Sequence, residues 1–146
     1  MRRVLTVLLA LSLLPVAACG RDRVQCEPAG GLRQITVCAT ADPAHAELHI
    51  ITQVVSQTGG KGMFIDAPDV IRRAPYQATI DYKTRDDRGK PTGVVVTMKV
   101  IPQSPNIKSV TCKIYNEKQL VNHQTKDANM SNREAVCVYE TPLPKA

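Results

Sequence analysis

Residues Tyr76, Gln77, Ala78, Thr79, Ile80, Asp81, Tyr82 and Lys83 alternate apolar and polar side chains without a break. Successive side chains of a strand point to opposite faces, so a period of two describes a half-buried strand rather than an amphipathic helix. The rhythm returns at Val94, Val96, Met98 and Val100, with Thr97 and Lys99 on the other face, and again at Val110, Cys112 and Ile114. Strands patterned this way need a second apolar layer to cover them. The polar run 85–91 between the first two contains Gly89, a turn signal. It predicts that 76–83 and 94–100 pair as an antiparallel hairpin.

Further strands follow from β-branched content and from breakers. Ile35, Thr36 and Val37 predict a strand over 32–40, ended by Asp42-Pro43. Residues 47–58, with Leu48, Ile50, Ile51, Val54 and Val55, read as a strand, although 44–48 also suits a helical turn. Gly59-Gly60-Lys61-Gly62 then links a hairpin to a short apolar strand at Met63, Phe64 and Ile65. Pro68 and Pro75 mark 66–75 as a loop. Asn116-Glu117-Lys118 is a turn, 119–124 a short return strand and 125–133 a polar loop. The last strand, 135–139, has an awkward parity, since Cys137 inward puts Val136 and Val138 on the other face. It is either covered on both sides or shifted by a bulge. About seven short strands separated by turn signals predict an all-β chain. The expected architecture is a single antiparallel, immunoglobulin-like β-sandwich over 32–146, stapled by two disulfides.

The other end of the chain is of a different kind. Arg2 and Arg3 precede an apolar run from Val4 to Val16, and Ala17-Ala18 lead into Cys19. Charge, apolar run and small residues in that order make a secretory signal. About 13 apolar residues are fewer than the ~20 a spanning helix needs, and Pro15 interrupts them. The ending Val16-Ala17-Ala18-Cys19 resembles the lipobox of bacterial lipoproteins. That resemblance implies cleavage before Cys19 and a diacylglycerol on its sulfur. Residues 1–18 are then a signal peptide and 19–31 a lipidated cysteine with a polar tether. The mature chain is expected at the extracytoplasmic face of the cell membrane, held by membrane lipid.

With Cys19 lipidated, Cys26, Cys38, Cys112 and Cys137 remain, an even set in an oxidising compartment. Four cysteines allow three connectivities. The local pairs Cys26–Cys38 and Cys112–Cys137 are favoured, because each lies within one segment. No C-x-x-C spacing occurs, which argues against zinc.

Charge narrows the partners. Lys and Arg number 19 against 13 Asp and Glu, and removing Arg2 and Arg3 leaves 17 against 13, with signs mixed along the chain. One Phe and no Trp leave little to stack on bases, so nucleic acid is not an expected partner. A mild positive balance suits anionic headgroups. His45 and His49 lie four apart, but the order H-E-x-x-H is absent, and they read as surface histidines. The Gly59–Gly62 run lacks phosphate-loop spacing and no G-x-S-x-G occurs. His123 lacks a matching nucleophile loop, and Asp81, Asp86 and Asp87 read as solvated charges. A non-catalytic protein without metal or cofactor is expected. Arg72 and Arg73 beside Tyr76 suit a lipid phosphate or an acidic protein surface, and are the candidate partner-binding residues.

From Ile51 onward the order of features resembles the MmpS-type accessory proteins, small partners of RND-class lipid and siderophore exporters. The resemblance rests on Ile51-Thr52-Gln53-Val54-Val55-Ser56 running into Gly59, on Met63-Phe64-Ile65-Asp66, and on Pro75-Tyr76 before a strand. Its most specific part is Val110-Thr111-Cys112-Lys113-Ile114, a turn, and then Ala135-Val136-Cys137. The chain departs from that family in three places. It has a lipobox where the family has an uncleaved membrane helix, Ala74 and Tyr76 in place of Leu and Trp, and the additional Cys26 and Cys38. The resemblance implies an adaptor touching an RND-type transporter. The alternative is a surface lipoprotein holding a small hydrophobic ligand between the faces of 76–82 and 94–100, which calls for a cavity of several hundred cubic ångströms there.

Overall fold

The computed structural model describes residues 26–58, 61–66, 68–127 and 132–145. The expected leader, Cys19, the first part of the expected tether and the Gly59-Gly60 link lie outside them. Nine strands form among the described residues, and no helix. They are β1 (Gln34–Asp42), β2 (Glu47–Thr58), β3 (Lys61–Asp66), β4 (Asp69–Arg73), β5 (Tyr76–Asp81), β6 (Thr92–Pro102), β7 (Ser109–Asn116), β8 (Gln119–Asp127) and β9 (Ala135–Glu140). One sheet runs β5-β1-β7-β8. The other runs β3-β2-β6-β9, with β4 also pairing β2 beyond β3. Every pairing is antiparallel, and the two inner faces meet in one core, so the chain is a β-sandwich.

The alternation in the sequence becomes this core directly. Val94, Val96, Met98 and Val100 of β6 face Val110, Cys112 and Ile114 of β7 and Ile35, Val37 and Ala39 of β1, all buried. Leu48, Ile50 and Val54 add the inner row of β2. Cys112–Cys137 joins β7 of one sheet to β9 of the other, inside the core, with a Cα separation of 6.0 Å. Cys26–Cys38 lies on the outside of the first sheet. Both pairings favoured from the sequence are therefore present.

Four expectations need correction. The first is the hairpin of 76–83 with 94–100. These strands are not paired; β5 pairs β1, and β6 pairs β2 and β9. Alternation records only that each strand has one buried face. Two strands facing each other across a core satisfy it as well as two neighbours in one sheet. Between them the chain turns a corner, with Tyr82 N donating to the Arg33 carbonyl (3.0 Å) and Thr92 Oγ1 to the Lys83 carbonyl (2.7 Å). Within that corner Asp86 Oδ1 accepts from the amides of Arg88 (2.9 Å) and Lys90 (2.8 Å), which fixes the tight turn.

The second correction is the loop 66–75, which contains β4. Its five residues bury little, with only Val70 shielded, so no apolar pattern announces it. The signal lies in its partner: β3 covers only Val54–Thr58 of the 12-residue β2, leaving Glu47 to Ile51 for β4. Third, β8 extends to Asp127, into the expected polar loop. Fourth, β9 is neither covered on both sides nor bulged. Its register against β6 runs unbroken, Ala135 and Cys137 face in, and Val138 is simply 46% exposed.

Thr52 Oγ1 is buried on the inner row of β2 with no hydrogen-bond partner among the described residues. Thr52→Val keeps the shape and removes the unmet hydroxyl, so it is expected to raise stability by about 1 kcal/mol in chemical denaturation. A lower stability would mean that the hydroxyl has a partner.

Candidate functional site

Among the described residues, the segment 26–31 covers one of the two outer faces. Past the Cys26–Cys38 bridge, residues 27–31 lie across the outer face of the β5-β1-β7-β8 sheet. Glu27 N donates to Gln77 Oε1 (3.2 Å), Gln77 Nε2 returns a bond to the Glu27 carbonyl (2.7 Å), and Ala29 N donates to Thr36 Oγ1 (3.1 Å). Thr36, on an outward-facing position of β1, is fully buried as a result. The sequence-predicted tether therefore becomes part of the domain from Cys26 onward. Cys19, which precedes it by seven residues, lies outside the described residues.

The outer face of the opposite sheet carries no such cover among the described residues. Strand parity places Ile71, Ile51, Ile101, Val95, Val136 and Val138 on it, interspersed with Gln53, Thr97 and Lys99. Ile71 is 52% exposed. Nothing in a polar-out reading of the strands anticipates so many aliphatic side chains on a solvent face.

The candidate contact residues do not form one cluster. Arg72 and Arg73 are both exposed on β4, and as neighbours along a strand they leave it toward opposite faces. Arg73 stands opposite Glu47 on β2, and Arg72 Nη1 donates to the Ile71 carbonyl (3.2 Å). Tyr76 starts β5 in the other sheet and turns inward, packed against the core. The sequence places the three side by side, and the passage from one sheet to the other at Ala74-Pro75 separates them. His45 is exposed, while His49 Nε2 bonds to Asp69 Oδ1 across β2 and β4. Among the described residues no group of three His, Cys, Asp or Glu side chains is placed to share a metal ion.

At one end of the sandwich a cleft of about 340 Å³ brings the end of β2 and Met63 together with the β5–β6 corner. Tyr82 and Val94 form its floor, and Asp81, Lys83, Arg85, Asp86 and Asp87 its rim. Tyr82 OH donates to Asn116 Oδ1 (3.2 Å), and Asn116 Nδ2 donates to Tyr139 OH (3.0 Å). Partial burial pushes the Tyr82 phenol above its ordinary value, with the bond to Asn116 acting against it and the nearby Tyr139 and Glu117 reinforcing it. The phenol is accordingly neutral at physiological pH and acts as a hydrogen-bond donor. The cleft is an ionic rim around a small apolar floor. Asp81, Asp86 and Asp87 read singly as solvated charges; their convergence comes from a corner whose path no local pattern gives.

Comparison with protein-family models, with curated proteins and with solved structures found no match for the chain.

Proposed function

We propose that the chain is an exported, lipid-anchored accessory protein that works by contact with a membrane export complex of the RND type. Cys19 carries the lipid, and the domain sits at the extracytoplasmic face. The observation that carries this reading is the division of surfaces. Residues 26–31 are bound down on one sheet, and among the described residues nothing covers the aliphatic outer face of the other. An apolar sheet face on a tethered domain favours a protein partner, because the tether raises the local concentration at any membrane-embedded surface. The segments that resemble the MmpS-type proteins fall in β2, β3, the start of β5, β7 and β9, so the resemblance involves both sheets and the core disulfide.

The rival reading, a hydrophobic ligand between the sheets, finds less support. The inner rows of β6, β7 and β1 are filled by one another's side chains, and the cleft that touches Tyr82 and Val94 opens at the rim with charged walls. Affinity isolation of the tagged full chain from detergent-solubilised membranes tests the adaptor. Recovery of an RND-class transporter subunit is expected. Recovery of the lipidated chain with no transporter subunit overturns the proposal.

A further inference from the structure

The two edges of the β3-β2-β6-β9 sheet are treated differently. On β9, the outward amide of Val136 donates to Gln124 Oε1 (2.7 Å) and the outward carbonyl of Val138 accepts from Asn122 Nδ2 (2.6 Å). Side chains of β8 thus occupy the hydrogen-bonding groups that an incoming strand would need. On the opposite edge β4 pairs only β2. Thr52 N donates to the Pro68 carbonyl and Ala74 N to the Ala46 carbonyl, which fixes the phase of that ladder. Val70 and Arg72 turn their peptide groups toward β2, and Asp69, Ile71 and Arg73 turn theirs outward. Arg72 Nη1 on the Ile71 carbonyl is the one side-chain bond to these outward groups among the described residues.

We infer that this edge is a homotypic docking site, where β4 of one copy pairs antiparallel with β4 of a second copy in the register centred on Ile71. Reversed on itself, the sequence Asp69-Val70-Ile71-Arg72-Arg73 sets opposite charges together at both ends and Ile71 against Ile71, with Val70 opposite Arg72 between them. In this register Asp69 stands opposite the second copy's Arg73, Arg73 opposite its Asp69, and Ile71 opposite its own equivalent. All three positions have outward peptide groups, so each forms a hydrogen-bonded pair that exchanges two N–H···O bonds. The other registers are worse. A shift that centres the pairing on Arg72 sets two guanidinium groups face to face. Centring on Val70 sets Asp69 against Ile71 and forms no ion pair. A parallel arrangement opposes Asp69 to Asp69 and Arg73 to Arg73, and like charges directly opposite are destabilising. Pro68 and Pro75 bound the segment, so pairing stops after these five residues.

The outer face continues across the junction. Ile71 lies beside His49, and His49 beside Ile101, so the row Ile101–His49–Ile71 meets its own mirror at the join. The His49 bond to Asp69 leaves further acceptor sites on the carboxylate for Arg73 of the other copy. The Arg72 bond to the Ile71 carbonyl gives way to the interstrand bond. A five-residue edge makes a small contact, and confinement to a membrane surface is what populates it.

Ile71→Cys tests the register. A hydrogen-bonded antiparallel pair holds its Cα atoms about 5.5 Å apart, within disulfide reach, whereas positions 69 of two copies would lie roughly 13 Å apart. The full chain carrying Ile71→Cys or Asp69→Cys is oxidised in native membranes and the cross-linked peptides are mapped. A covalent dimer joined at the two 71 positions is expected, with little from Asp69→Cys. No dimer from Ile71→Cys, or equal yields from both, overturns the inference. Energy transfer between labelled copies of the lipidated chain in phospholipid vesicles, without added cysteine, gives a second reading. Asp69→Arg or Arg73→Asp alone should weaken association roughly tenfold, and the two together should restore it. Single variants that associate like the parent also overturn it.

Discussion

Replacing Cys112 and Cys137 together with alanine is expected to cost about 3–5 kcal/mol of stability, enough to leave a marginal domain largely unfolded at physiological temperature. The chain-entropy model gives about 3.5 kcal/mol for a loop closed across 25 residues. Both sulfurs are fully buried in the core, so their removal also leaves space that the surrounding Val, Ile and Met side chains fill only in part. The bridge further ties β9, an edge strand, to the opposite sheet. Replacing Cys26 and Cys38 should cost less, although the same model gives about 3 kcal/mol for a separation of 12. Residues 26–31 can detach from the outer face without opening the sandwich, which caps the loss at what that segment contributes. Chemical denaturation of the two double variants makes the comparison. Equal losses would mean that the outer segment is as integral to the fold as β9.

Cys19→Ala is expected to move most of the protein from the membrane pellet to the wash. Two acyl chains hold a protein stably, since each buried methylene contributes about 0.8 kcal/mol, and no second lipidation site is expected downstream. A leader left uncleaved would provide an apolar run of about 13 residues, well short of the ~20 that span. Fractionation after a carbonate wash, with mass spectrometry of the N-terminal peptide, reads both outcomes. A parent N-terminal peptide with the mass of an unmodified cysteine, or a variant that stays in the pellet as firmly as the parent, would sink lipidation at this residue.

What the sequence disclosed follows from the range of its patterns. The inner rows of β5, β6 and β7 are legible because a period of two is a local property, repeated over five residues or more. The disulfide partners are legible because few cysteines remain and each pair closes a short segment. Pairing between strands is not local. Tyr76 to Asp81 and Val94 to Val100 carry the same rhythm whether they are neighbours in one sheet or belong to opposite sheets, and the structure takes the second arrangement. β4 was hidden between Pro68 and Pro75 because its residues are mostly charged and exposed, and only the uncovered half of β2 called for it. The placement of Arg72, Arg73 and Tyr76 is hidden for a related reason: nearness in sequence does not set direction, and the two arginines lie on β4 while Tyr76 turns inward on β5 of the other sheet. The aliphatic outer face escapes a residue-by-residue reading because each of its side chains, seen singly, is an ordinary strand residue.

The two amide side chains that occupy the β9 edge have a consequence for what such a protein becomes at high surface density. A sheet with two open edges can recruit a copy at each end, and the product is a filament without a defined length. Here Asn122 and Gln124 act as a chain terminator on one side. Any growth through the other side therefore ends with two molecules. Unfastening that terminator would open a second edge of this sheet to another copy.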